Sequence, residues 1–233
     1  MPVSFSLMSE PARPKRRYDA TRRREQATQT RSRIIDAAGR VFLERGYAGA
    51  TIPTIAAEAG VAVETVYRSA SGKAGLLAAA VQAALAGGAE RAERPVEQRE
   101  GIRRVLDETD PRRQLAAYAA TQPGVWSRVG PLLRVLAAAA ATDDTLVELQ
   151  ERHAHQRLVG LRRFAEVLAH TNALRPGLTA ERAADLIWTI CAQANYDALV
   201  TARGWSHQEY RDWLSDMLTA SLLSTNAEPT RSR

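Results

Sequence analysis

The chain has 233 residues, which allows one or two domains, and its 45% hydrophobic and 25% charged residues are ordinary for a globular protein. Alanine, leucine and arginine are abundant and apolar–polar alternation is nearly absent, so the composition predicts an all-α protein. One cysteine excludes an internal disulfide, and no uncharged apolar run reaches the ~18 residues of a membrane helix. The N-terminus also lacks the order of a secretory leader. Together these features predict a cytoplasmic protein.

The net charge of +6 is unevenly placed. Residues 1–33 hold nine basic and three acidic groups, and residues 34–233 balance with 23 of each sign. Pro2, Pro11, Pro14 and many polar residues predict a disordered basic arm over 1–29. Such an arm can lie along phosphates or enter a minor groove; a solubilising tail is the plainer reading.

From about Thr30 the pattern turns helical. Ile34, Ile35, Ala38, Val41 and Phe42 share one face, Gly46 is a stop, and Tyr47 turns inward. Thr51 can cap a second helix with Pro53 in its first turn and an apolar stripe of Ile52, Ile55, Ala56 and Ala59. Gly60 permits a sharp turn and Val61 plugs the angle. Val63, Val66 and Tyr67 mark the inner stripe of a third helix, with Glu64, Thr65 and Arg68 pointing elsewhere. Two helices crossing about such a turn form a helix-turn-helix, whose second member fits a DNA major groove.

At Phe42…Gly46-Tyr47, Thr51-Ile52, Ile55-Ala56, Ala59-Gly60-Val61, Thr65-Val66-Tyr67 and Lys73…Leu76 the chain resembles the TetR family of transcriptional regulators. The resemblance covers about residues 31–80, and more loosely 183–223. It implies an N-terminal three-helix DNA-binding domain (30–78) and a larger helical effector-binding and dimerisation domain (79–224), followed by a disordered tail (225–233). It also implies that Thr51, Tyr67 and Lys73 meet phosphates, which their hydroxyl, phenol and ammonium groups suit. Base readout then falls to Val63, Glu64, Thr65 and Arg68. The alternatives are a core aromatic at Tyr67 and an i,i+4 surface pair of Glu64 with Arg68. The sequence departs from the family pattern at Ala62, where a capping serine is usual, at Ser69-Ala70, where two larger rings are usual, and at Gly72 and Ala74.

Further on, Leu76–Ala86 reads as a linking helix closed by Gly87-Gly88, and a short helix is expected near Arg94–Glu108. Asp110-Pro111 starts a helix that Pro123-Gly124 should end, and a separate one follows through Trp126, Val129, Leu132 and Leu136. A long amphipathic helix is expected over 144–170. Its His153 and His155 are i,i+2 and point apart, so they do not converge on a metal ion. A helix over Thr179–Thr201 and another opened by the capping box Ser206–Glu209 complete the chain. Cys191 lies in the first of these as a buried structural thiol. Their stripes, Ala184, Ile187, Trp188, Cys191, Tyr196 and Leu199 with Tyr210, Trp213, Leu214, Met217, Leu218 and Leu222, read as a homodimer face, or as part of the chain's own core.

Tyr118, Trp126, Gln193, Asn195 and Tyr196 are the candidate effector contacts, as polar or aromatic residues on apolar faces. The lack of a charge cluster there favours a neutral or aromatic compound. No nucleophile elbow, phosphate-cradling loop or HExxH set is present, so no enzyme and no cofactor is expected. The expected function is a ligand-responsive repressor that binds near-palindromic double-stranded DNA as a homodimer and leaves it on binding a small molecule. The rival is a helical ligand- or partner-binding protein with a diverged, weak DNA reader.

Overall fold

A computed structural model describes residues 15–224, with side chains from Arg22 onward. The first fourteen residues of the basic arm and the tail 225–233 lie outside the described residues. Eleven helices follow one another among the described residues: α1 (Lys15–Gly49), α2 (Ile52–Ala59), α3 (Val63–Ser69), α4 (Gly72–Ala86), α5 (Ala89–Ala92), α6 (Glu100–Asp107), α7 (Pro111–Ala140), α8 (Asp144–His170), α9 (Ala180–Ile190), α10 (Gln193–Tyr196) and α11 (His207–Leu222). A short 3-10 turn (Val96–Gln98) precedes α6, and a wide turn (Asp197–Thr201) continues α10.

The first helix is longer than expected. It begins at Lys15, not near Thr30, so the second half of the basic arm is helical. Past Pro14 the arm contains no helix breaker and is rich in Arg, with Lys, Ala, Gln and Glu beside it, all good helix formers. At its other end Gly46 leaves the helical path with φ 65° and ψ 178°, a backbone only glycine adopts readily. The chain then runs one more turn to Gly49.

Two further differences concern helix breaks. The expected end at Pro123-Gly124 is absent, because α7 runs unbroken through Pro123 and Pro131. A proline inside a helix costs about 3 kcal/mol. Burial of Leu115, Ala119, Gln122, Trp126, Val129, Leu132 and Leu136 offsets it. Those residues recur every three or four positions in a single register across the proline, so one stripe stays buried against α4, α8 and α11.

Conversely, the expected helix 179–201 breaks after Cys191, where Ala192 is extended (φ −68°, ψ 146°). A helix end leaves its last four carbonyls without partners inside the helix. Here Arg157 Nη2 donates to the carbonyls of Trp188 (3.2 Å) and Cys191 (2.8 Å). The Asn195 amide donates to those of Thr189 (2.9 Å) and Ile190 (3.0 Å). Side chains from α8 and α10 thus satisfy what the break exposes.

One continuous apolar core joins the N-terminal helices to the rest. It passes from Ile34, Phe42 and Ile55 through Leu76 and Leu77 of α4 to Leu115, Phe164, Ile187 and Leu214. The boundary expected at 78/79 falls inside α4, with Leu77 and Ala80 buried on either side of it. A small alanine-rich three-helix unit has little apolar area of its own, and this shared core supplies the rest.

Candidate nucleic-acid interface

The helix pair α2–α3 follows its expected local chemistry. Thr51 caps α2: its Oγ1 accepts from Thr54 N–H at 3.2 Å, and Pro53 lies in the first turn. Gly60 closes α2 with φ 65° and ψ 40°, the left-handed conformation that a side chain would strain. Its N–H and that of Val61 return to the carbonyls of Ala57 and Ala56. Ala62 caps α3 with no side-chain bond, so the departure from the usual serine leaves that end uncapped.

Facing is decided at Val66 and Tyr67. Val66 is 1% exposed and holds α3 on the core, whereas Tyr67 is 61% exposed. Tyr67 is therefore neither part of the inner stripe nor a core aromatic, as periodicity allowed. Its outward position aligns it with Glu64 and Arg68, both exposed, while Thr65 and Val63 are half-buried beside them. Arg68 Nη2 donates to Thr65 Oγ1 at 3.3 Å and makes no ion pair with Glu64 among the described residues. The alternative i,i+4 pair is not formed.

Lys73 sits at the start of α4, but its ammonium turns back to α1. It donates to the Tyr47 carbonyl at 2.8 Å and lies 4.2 Å from the centroid of the Tyr47 ring, which in turn stacks on Phe42 at 5.9 Å. Thr51 likewise engages its hydroxyl locally, with Thr54 Oγ1 at 2.8 Å. Both side chains first order the backbone around the helix pair.

Where larger rings were expected, Ser69 and Ala70 leave an open cleft of about 490 Å³ lined by Arg31, Tyr67, Arg68, Ser69, Ala70, Ser71 and Gly75. Arg31 Nη1 donates to the Ser69 carbonyl across it. This link between the basic half of α1 and the end of α3 joins residues 38 positions apart, and only the tertiary fold reveals it.

The effector candidates lie deeper in the larger region. Tyr118 packs its ring against Phe164 at 4.9 Å, and burial pushes its phenol well above the ordinary tyrosine value. Trp126 is buried, and its indole Nε1 has no acceptor. Gln193 donates to the Gly130 carbonyl (3.1 Å) and to Asp197 (3.3 Å), Asn195 caps α9, and the Tyr196 hydroxyl meets His207 Nε2 at 3.0 Å. So Tyr118 and Trp126 lie in the core, while Asn195 caps the broken end of α9 and Gln193 and Tyr196 tie α10 to α7 and α11.

Residues 34–80 match the model of the bacterial regulatory proteins of the tetR family. The chain carries a tetR-family domain. No curated protein matches the chain. Solved structures do. NalD of Pseudomonas aeruginosa, the secondary repressor of the MexAB-OprM multidrug efflux pump, is 22% identical with a TM-score of 0.65 over 85% of this chain and 99% of its own. A protein of Mesorhizobium loti described as a TetR-family transcriptional regulator is 18% identical, with a TM-score of 0.65 over 83% and 95%. FadR of Bacillus subtilis, solved with stearoyl-CoA, is 17% identical, with a TM-score of 0.62 over 81% and 97%. At these identities the likeness is one of fold. The domain match and this shared fold agree over the N-terminal helices.

Proposed function

We propose that the protein is a homodimeric repressor that binds near-palindromic operator DNA through α3 and is released by a small-molecule effector. The observation carrying this reading is the outward set on α3, with Tyr67 free in solvent next to a fully buried Val66. A helix held rigidly from behind and presenting a phenol, a guanidinium and a carboxylate suits a major groove. Arg22, Arg24, Arg31 and Arg33 are exposed on the helical half of the basic arm and add phosphate-binding charge on the side joined to α3 through Arg31. Tyr67 takes a phosphate, Arg68 a guanine, and Thr65 or Val63 a thymine methyl. Lys73 and Thr51 contribute mainly by holding the reader in place.

The dimer face proposed for the last two helices is narrower than their stripes suggested. Ala184, Ile187, Cys191, Tyr210, Leu214, Leu218 and Leu222 are buried in the chain's own core. Of those stripes Trp188, Leu199 and Trp213 are half-buried and Met217 is 39% exposed. Leu186 with Ile190, which the stripes did not include, forms a half-buried pair on α9 to match Trp213 with Met217 on α11, each pair one turn apart. Two such pairs on packed neighbouring helices suit a four-helix bundle with a second copy. Half-sites would then lie about 34 Å, or a multiple, apart. The effector reading draws on Tyr118 and Trp126 in the core and on FadR, which binds stearoyl-CoA on the same fold.

A mobility-shift assay on DNA flanking the protein's own coding region tests this function. Retardation should weaken steeply with salt, with a slope near −0.9 per phosphate contact. Absence of retardation at low salt would favour the second reading, a helical ligand-binding protein with a weak reader. That alternative is supported by the uncapped start of α3 and by the Lys73 ammonium turned away from the α3 face.

A further inference from the structure

In the larger region a half-buried guanidinium sits without an acid. Arg157 of α8 lies between two indoles, 4.2 Å from the Trp188 ring centroid and 5.4 Å from that of Trp126. Both of its hydrogen bonds leave through Nη2, to the Trp188 and Cys191 carbonyls. Among the described residues Nε and Nη1 have no hydrogen-bond acceptor, so three of the five N–H groups of an arginine are uncommitted. The charged and titratable groups acting on it are Tyr118, Cys191, Tyr210 and His153, and none is a carboxylate. Burial weakens its hold on the proton, the cost of a cation partly removed from water.

Two more donors of the same cluster are orphaned. Trp126 Nε1 and Tyr210 Oη are buried and have no partner, although Trp126 is 5% exposed and Tyr210 fully buried. Buried polar groups are nearly always paired, and an unpaired one costs about 1–3 kcal/mol. Thus α7 and α11 each bring a buried donor without a partner, and α8 brings the half-buried Arg157, which faces the Trp126 and Trp188 rings. All three are hydrogen-bond donors, one is cationic, and their surroundings are flat rings.

We propose that this cluster is an anion subsite, and that the effector is an organic acid whose carboxylate accepts from Arg157, Trp126 Nε1 and Tyr210 Oη while its apolar body lies against the indoles and Tyr118. This rests on the effector reading above and puts an acid where the sequence favoured a neutral or aromatic compound. In the sequence alone, a lone arginine in an amphipathic helix carries no such signal.

Calorimetric titration of the full chain with naphthalene-2-carboxylate and with decanoate, each against its own primary amide, tests the inference. At least one acid should bind roughly tenfold or more tightly than its amide, and Arg157→Gln should abolish that preference. Tyr210→Phe removes a hydroxyl that has no partner in the free protein. It should leave thermal stability unchanged or raised while weakening the acid several-fold, which a purely structural tyrosine would not do. Equal binding of acid and amide, no binding of either acid, or unchanged acid affinity in Tyr210→Phe would overturn the proposal. Release of the protein from DNA by a neutral compound would sink the anion subsite and leave the regulator reading standing. Failure to bind DNA with the acid preference intact would do the reverse.

Discussion

The ammonium of Lys73 reaches across from α4 to the backbone carbonyl of Tyr47, 2.8 Å away, and rests over that residue's ring. One side chain therefore pins the end of α1 to the start of the helix that follows α3. Lys73→Ala should destabilise the protein by about 1 kcal/mol, from a lost charge-assisted hydrogen bond and cation–π contact at a half-buried site. Urea denaturation checks this. An unchanged midpoint would mean that the ammonium is free to serve DNA alone.

Tyr67 should behave in the opposite way. Its ring is mostly solvated, so Tyr67→Ala should change stability by less than about 0.5 kcal/mol. Affinity for operator DNA should fall across all sequences, whereas Arg68→Ala should relax preference at one base pair. Parallel melting and mobility-shift measurements separate the two effects.

The broken end of α9 depends on Asn195, whose amide serves two carbonyls. Asn195→Ala should cost about 1–2 kcal/mol by leaving both without that donor. Ser206→Ala removes the oxygen that accepts from the Glu209 N–H at the start of α11 and should cost about 1 kcal/mol. Thermal melts of the two variants test whether α9 and α11 are held by these particular bonds.

His153 gives a pH dependence with a definite sign. Burial, and then the Arg157 charge, hold its imidazole below the ordinary value of 6.5. The fold favours the neutral ring, so the unfolded chain takes up the proton first. The stability this group contributes is complete above about 6.5 and is lost as the pH falls from there through the folded value. Denaturation midpoints should drop on acidification through that window, and less so in His153→Gln.

Cys191 is fully buried, and burial pushes its thiol up to about 12. Its reaction with a thiol reagent at neutral pH should be slow in the native protein and fast in denaturant. Rapid labelling of the native chain would contradict the packed position.

Local chemistry was legible wherever a short run of sequence fixes its own backbone. The Thr51 cap, the left-handed Gly60, the Asp110-Pro111 start and the Ser206–Glu209 capping box each need only neighbours in the chain, and all are formed as their residue types require. The ordered matches from Phe42 to Leu76 were equally readable, because apolar spacing and a turn glycine carry them.

What the chain alone left open depends on surroundings supplied by distant residues. Pro123 does not end α7, since burial of the stripe on both sides of it outweighs a lost hydrogen bond. Thr179–Thr201 does break, since Arg157 and Asn195 arrive to take the carbonyls it frees. Tyr67 and Val66 are adjacent and both apolar enough for a core, and only docking of α3 on α1 and α2 sends one inward and the other out. Arg157 looks like any surface arginine until three helices close round it. Periodicity assigns a residue to a face of its helix, but which faces meet, and which polar groups they strand between them, is settled by packing.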